Sequence, residues 1–165
     1  MTKRDAVLGL SLGTRKIGIA IVKDGDLKDW CVKEFKETWG IAKVQAIMFC
    51  LYKLCQLYGI THIAIKIPRK IGKQTGLRRV LMELEQCTKT QHIQMLKYSQ
   101  DNLKLWYCGS PYSDFQEVID IIVSRKPELV HDRRKEQRNY CGYYDVMFQA
   151  VAVALILSDE ILSAN

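Results

Sequence analysis

The segment Leu8-Gly-Leu-Ser-Leu-Gly-Thr-Arg-Lys-Ile-Gly-Ile-Ala20 is where chemistry is most legible in this chain. A strand, a glycine turn and a second strand bring backbone amides close to whatever lies beside the turn, because glycine lets the chain bend tightly and approach a ligand. Such a turn can hold a phosphate or set a side chain beside a phosphodiester. A purely structural glycine hairpin is the alternative.

A second feature is charge. Lys66, Arg69, Lys70, Lys73, Arg78 and Arg79 follow one another with no acid between them. The whole chain carries +7, so this stretch, at +6, leaves +1 for everything else. Such concentration points to a polyanion partner, a solvated charge run being the alternative. Zinc chemistry has no signature. The cysteines Cys31, Cys50, Cys55, Cys87, Cys108 and Cys141 include no CxxC pair, and His62, His92 and His131 lie far apart. Buried free thiols in a reducing compartment are the expectation.

The elements that must position these residues follow from periodicity. Ala6 to Leu10 and Ile17 to Val22 read as strands around a turn over 11–16. Asp24-Gly25 is a hairpin pair, and Leu27 to Phe35 is the third strand of a meander. Val44, Ile47, Met48, Leu51, Leu54, Cys55 and Tyr58 keep helical spacing over 41–58, and Gly59 ends that helix. Residues 61–67 alternate as a fourth strand, closed by Pro68. A helix between two strands implies a crossover, hence a fourth strand parallel to the first.

Beyond the basic loop, the patterns predict a helix from Leu77 to about Thr88 and a fifth strand over 92–98. Residues 101–106 form a short helix or an irregular segment, and a further helix opens at Pro111 and ends at Pro127. Residues 129–142 are polar, without a predicted element. A final alanine-rich helix runs from about Tyr144 to Leu162, its small residues suited to lying close on a sheet.

At 165 residues, 48% hydrophobic and 26% charged, the chain is expected to form one α/β domain over 1–165, and the balance excludes a mostly disordered protein. The longest apolar run, Ala150 to Leu157, falls short of the ~20 residues of a spanning helix. No leader is visible, so a cytoplasmic protein without a membrane partner is expected.

The opening segment resembles that of the ribonuclease H-like superfamily, especially RuvC-type Holliday junction resolvases, and is similar to that of the pre-16S ribosomal RNA nucleases. Both open on a strand ending in Gly-(Ile/Leu)-Asp-x-Gly-(Thr)-x-x-x-Gly. Here Gly9, Leu10, Gly13, Thr14 and Gly18 match. The predicted order of elements fits the resolvases over nearly the whole chain. The resemblance implies a mixed five-stranded sheet with strands one to three antiparallel, helices on both faces, binding of branched or structured DNA, and a homodimer.

The departures concern the catalytic acids. Where the family carries Asp on the first strand this chain has Ser11, and where it carries Glu on the fourth strand the chain has Lys66. Of two acids at the start of the last helix, Asp145 fills one place, and Gln149 stands just before the alanine run. The family's cleavage uses Mg²⁺ or Mn²⁺, and Mg²⁺ prefers oxygen ligands that include carboxylates. A lysine there repels the ion: two unit charges ~4 Å apart interact by about 4 kcal/mol at an effective dielectric of 20. Asp145 is therefore the one catalytic acid retained, and no metal cofactor is expected.

Three readings follow. The first is a nucleic-acid-binding protein with a degenerate catalytic site, in which Lys66 either pairs with Asp145 in place of the metal or points to solvent. Its candidate nucleic-acid contacts are Arg15, Lys16, Arg69, Lys70, Lys73, Arg78 and Arg79. Tyr140, Tyr143 and Tyr144 are stacking surfaces, or else packing residues. The second is a divergent Mg²⁺- or Mn²⁺-dependent nuclease that draws carboxylates from Glu83, Glu85 or Asp114. The third is a protein-interaction module on the same scaffold. An ATP site of the actin and sugar-kinase type, whose first phosphate loop has a similar Gly-Thr pattern, needs a second lobe that this length does not supply.

Overall fold

A computed structural model of the chain describes residues 4–69, 75–139 and 142–165. Strands β1 (Ala6–Leu12), β2 (Lys16–Lys23) and β3 (Asp26–Glu34) precede helix α1 (Ile41–Tyr58). Then come β4 (His62–Lys66), α2 (Thr75–Gln91), β5 (Gln94–Tyr98), α3 (Gln100–Cys108), α4 (Phe115–Arg125), α5 (Val130–Asn139) and α6 (Asp145–Ala164). The sheet order is β3-β2-β1-β4-β5. β1, β2 and β3 pair antiparallel, while β1 with β4 and β4 with β5 are parallel. This is the mixed five-stranded α/β sheet implied by the resemblance.

The two faces of the sheet carry side chains of different size. Leu8, Leu10, Ile17, Ile19, Ile21, Ile63 and Ile65 meet α1 and α2 in one buried cluster. On the other face the strands offer Val7, Ala20 and Ala64, which pack with α4 and α6. A Cβ at Gly9 would overlap the Ala150 carbonyl, and one at Gly18 the Val146 carbonyl, so the backbone of α6 rests directly on β1 and β2. At 20 residues α6 is long and apolar enough to cross a membrane, but 11 of its residues, Met147 to Ser158 apart from Gln149, are buried in this protein's own core.

Several boundaries differ from the sequence expectation. Ser11 and Leu12 belong to β1, which shortens the turn, and β5 begins at Gln94. Asp24 and Gly25 both take positive φ, as the hairpin pair predicts. α4 begins at Phe115, not at Pro111: the Asp114 carboxylate accepts the Gln116 N–H and satisfies a donor that the first turn leaves unpaired. The polar stretch over 129–142 contains α5, whose buried residues are Arg133 and Glu136.

Candidate functional site at the carboxyl end of β1 and β4

Register sets the row on which the site is built. Gly18, Ser11 and Lys66 are direct neighbours across β2, β1 and β4, with Tyr98 of β5 beyond Lys66. Ser11 is 1% exposed, and its Oγ donates to Gln149 Oε1 of α6 at 2.6 Å. The close seat of α6 on Gly18 makes this contact possible. A neutral hydroxyl and a neutral amide oxygen thus hydrogen-bond across β1 and α6.

Lys66 does not meet Asp145. No ion pair joins them among the described residues, and the charge that bears on Lys66 is that of Arg69. Nor does Lys66 extend freely into solvent, because it is 9% exposed. Burial first, then Arg69, holds its ammonium below the usual range. Both sequence expectations for this side chain are corrected by its position inside the row, beside Ser11.

Asp145, one turn before Gln149, faces α5 instead. It lines a cleft of about 490 Å³ with Gln116, Arg133, Glu136, Gln137 and Gly142. Its Oδ1 is buried without a hydrogen-bond partner among the described residues. Burial, and next the Glu136 carboxylate, push its carboxyl above the ordinary range, while Arg133 and Lys16 pull the other way. Glu136 accepts the Tyr144 N–H at 3.1 Å. Arg133 donates to Gln116 at 2.6 Å and to Asp120 at 3.0 Å. Of these cations Arg133 lines the cleft with Asp145, and Lys16 lies over the neighbouring Tyr143 ring.

The carboxylates considered as replacements are engaged elsewhere. Glu83 pairs with Arg79 at 3.5 Å, Glu85 pairs with Lys97, and Asp114 caps α4. The acid brought to Asp145 is Glu136, which the sequence analysis missed. Its one signal was a position three residues from Arg133 in a stretch without apolar periodicity. Among the described residues no three of His, Cys, Asp and Glu gather as a metal site. On the strand row a hydroxyl–amide pair and a lysine are a poor donor set for Mg²⁺, and the two acids beside them, Asp145 and Glu136, share their cleft with Arg133.

The described basic residues are spread over the β1–β2 turn, the segment after β4 and helix α2. Arg15 is exposed on the β1–β2 turn, and Lys16 lies over the Tyr143 ring at 5.0 Å. Tyr143 in turn meets Tyr144 edge-on at 5.0 Å. Arg69 contacts Asp101 of α3 at 3.5 Å, and Arg78 is exposed on α2. Acids from α2 and α3 thus partly offset a segment that has none of its own. Lys70, Lys73 and Tyr140 lie outside the described residues.

Lys43 of α1 also went unnoticed in the sequence. It is 3% exposed, donates to the carbonyls of Thr14 at 2.9 Å and Glu37 at 3.1 Å, and lies over the Trp39 ring. With Gly13 N–H to Lys16 C=O and Phe35 N–H to Arg15 C=O, it fixes the glycine turn from three sides.

No family model matches the sequence, and no curated protein does. Solved structures do match the fold. Thermus thermophilus RuvC aligns with a TM-score of 0.69 at 12% identity, over 96% of both chains. RuvC of the same organism in complex with Holliday junction substrate gives 0.69 at 13% identity, over 96% of this chain and 94% of that one. The yeast mitochondrial Holliday junction resolvase Ydc2 gives 0.64 at 14% identity, over 96% and 80%. The chain has a RuvC-like, ribonuclease H-like fold.

Proposed function

We propose that this protein binds nucleic acid, recognising branched or structured DNA by shape and backbone charge, without the metal-dependent cleavage of the resolvases it resembles. The observation that carries the reading is the Ser11–Gln149 hydrogen bond beside buried Lys66. Acids at those positions would have converged on a cation; here they are replaced by a hydrogen-bonded neutral pair and a positive charge. The cations Arg15, Lys16, Arg69, Arg78 and Arg79 support phosphate contact, and the fold is shared with a RuvC in complex with a Holliday junction substrate. Self-association belongs to the same reading. Ile41 and Phe49 are each 61% exposed, and with Tyr52 they recur on one side of α1.

The test is a binding titration of four-way junction against linear duplex at two salt concentrations, with Mn²⁺ cleavage followed in parallel. Junction binding that weakens as salt rises is expected, because each phosphate contact contributes a slope of about −0.9 in log K against log salt. Charge reversal at Arg15, Lys16 and Arg78 lowers that slope. No cleavage is expected. Cleavage lost in Asp145→Asn would favour the divergent nuclease, with Glu136 as the second carboxylate. Absence of salt-dependent binding would favour a protein-interaction module.

A further inference from the structure

The β1–β2 turn, the end of β3 and Tyr143 enclose a cleft of about 470 Å³ lined by Arg15, Lys16, Glu34, Lys36 and Tyr143. That volume lies within the range of small-molecule sites, about 300–1,000 Å³. We propose that this cleft is a nucleotide subsite, in which an unpaired base lies against the Tyr143 ring and its phosphate is held by Arg15 and Lys16. The inference rests on the nucleic-acid reading and deepens it by naming the chemical unit that is recognised.

The lining residues divide by role. Glu34 is taken up by Lys36 at 3.8 Å and lines the cleft beside Tyr143. Arg15 and Lys16 have no ion-pair partner among the described residues. Lys16 stands 5.0 Å over the ring, a weak contact that a phosphate can replace. The turn that presents both cations is held in place beforehand, since Lys43 grips the Thr14 carbonyl and Phe35 N–H the Arg15 carbonyl at 2.8 Å. A ring that accepts any π-face, beside cations that accept any phosphate, selects for an unstacked nucleotide rather than for a base sequence.

Two arms test this. A junction and a duplex, each with one extrahelical 2-aminopurine, report stacking by fluorescence; adenosine monophosphate, ribose 5-phosphate and inorganic phosphate report binding of free ligands by calorimetry. In the intact protein, quenching of the extrahelical base is expected. Tyr143→Ala should abolish it and weaken binding of that strand about 5- to 150-fold, while Tyr143→Phe retains it. Arg15→Ala, at an exposed position, should weaken the bulged strand and adenosine monophosphate alike, and Tyr112→Ala, 95% exposed and not among the residues that line the cleft, should change neither. Binding of adenosine monophosphate that depends on Tyr143, without DNA binding, would keep the subsite and overturn the nucleic-acid reading. DNA binding indifferent to Tyr143→Ala, with an unquenched base, would overturn the subsite and leave the broader reading standing.

Discussion

Ser11 Oγ donates to Gln149 Oε1 at 2.6 Å, joining the first strand to the last helix across 138 positions of chain. The pair is a lock between β1 and α6 at the point where acids would otherwise repel. Ser11→Ala leaves the Gln149 carbonyl without its donor and should cost about 1 kcal/mol, a fall of about 2–4 °C in thermal midpoint. Ser11→Ala combined with Gln149→Leu should cost less than the sum of the two single changes, which a double-mutant cycle measures. Strict additivity would mean that the contact contributes nothing.

The seat of α6 depends on absent side chains. Gly18→Ala places a methyl group into the Val146 carbonyl, and Gly9→Ala places one into the Ala150 carbonyl. Neither obstacle is the flexible end of a side chain, so the helix itself must move. Each change should destabilise by about 1–3 kcal/mol or more, read as a lower urea midpoint. Gly18→Ala should also uncouple Ser11 from Gln149, making Ser11→Ala nearly silent in that background.

Lys43 is a buried cation whose role is mechanical. Lys43→Met removes the donor shared by the Thr14 and Glu37 carbonyls and should cost about 2 kcal/mol. Because Thr14 precedes Arg15 and Lys16, the same change should weaken nucleic-acid binding although no contacting charge is removed. A variant that loses stability but keeps the affinity of the intact protein would show that the turn needs no such brace.

What the sequence conveys here depends on whether a residue's role is local. The alternation of Leu8, Leu10, Ile17, Ile19 and Ile21 marks the strands, and the hairpin at Asp24-Gly25 follows from backbone freedom alone. Register then brings Ser11 beside Lys66, as a parallel pairing of β1 with β4 requires. Helix α5 was illegible because its inward residues, Arg133 and Glu136, are charged, and an apolar period is the signal a sequence offers for a buried face. The facing of Asp145 was illegible for the same reason: its neighbours come from that helix. Lys43 sits among apolar helix positions, and its acceptors are backbone carbonyls, which carry no sequence mark.

The Asp145 carboxyl gives a pH dependence of definite sign. Burial and Glu136 raise its folded value above the ordinary 3.8, with Arg133 and Lys16 opposing. The folded state therefore favours the protonated acid. Its contribution to stability is complete below the ordinary value and is lost as pH rises through the folded one. Relative to the intact protein, Asp145→Asn should gain stability progressively from about pH 4 upward, measured by urea unfolding across that range. Glu136→Gln should shrink the difference, since it removes the charge that opposes ionisation. A gap between variant and parent that narrows with rising pH would contradict the geometry of this cleft.

Whether this row can grip a cation is tested by making it acidic. Ser11→Asp, Lys66→Glu and Gln149→Asp together place three carboxylates around the row that now holds a hydroxyl, an ammonium and an amide. Without metal this variant should be less stable than its parent, because like charges crowd a poorly hydrated site. Added Mn²⁺ should restore it: a ligand at 100 times its dissociation constant contributes about 2.7 kcal/mol to the folded state. The parent should show no such rise, since Lys66 repels an ion that neither Ser11 nor Gln149 can neutralise. Stabilisation of the parent by Mn²⁺ that disappears in Asp145→Asn would instead place an ion between Asp145 and Glu136 and return this protein to the metal-dependent nucleases.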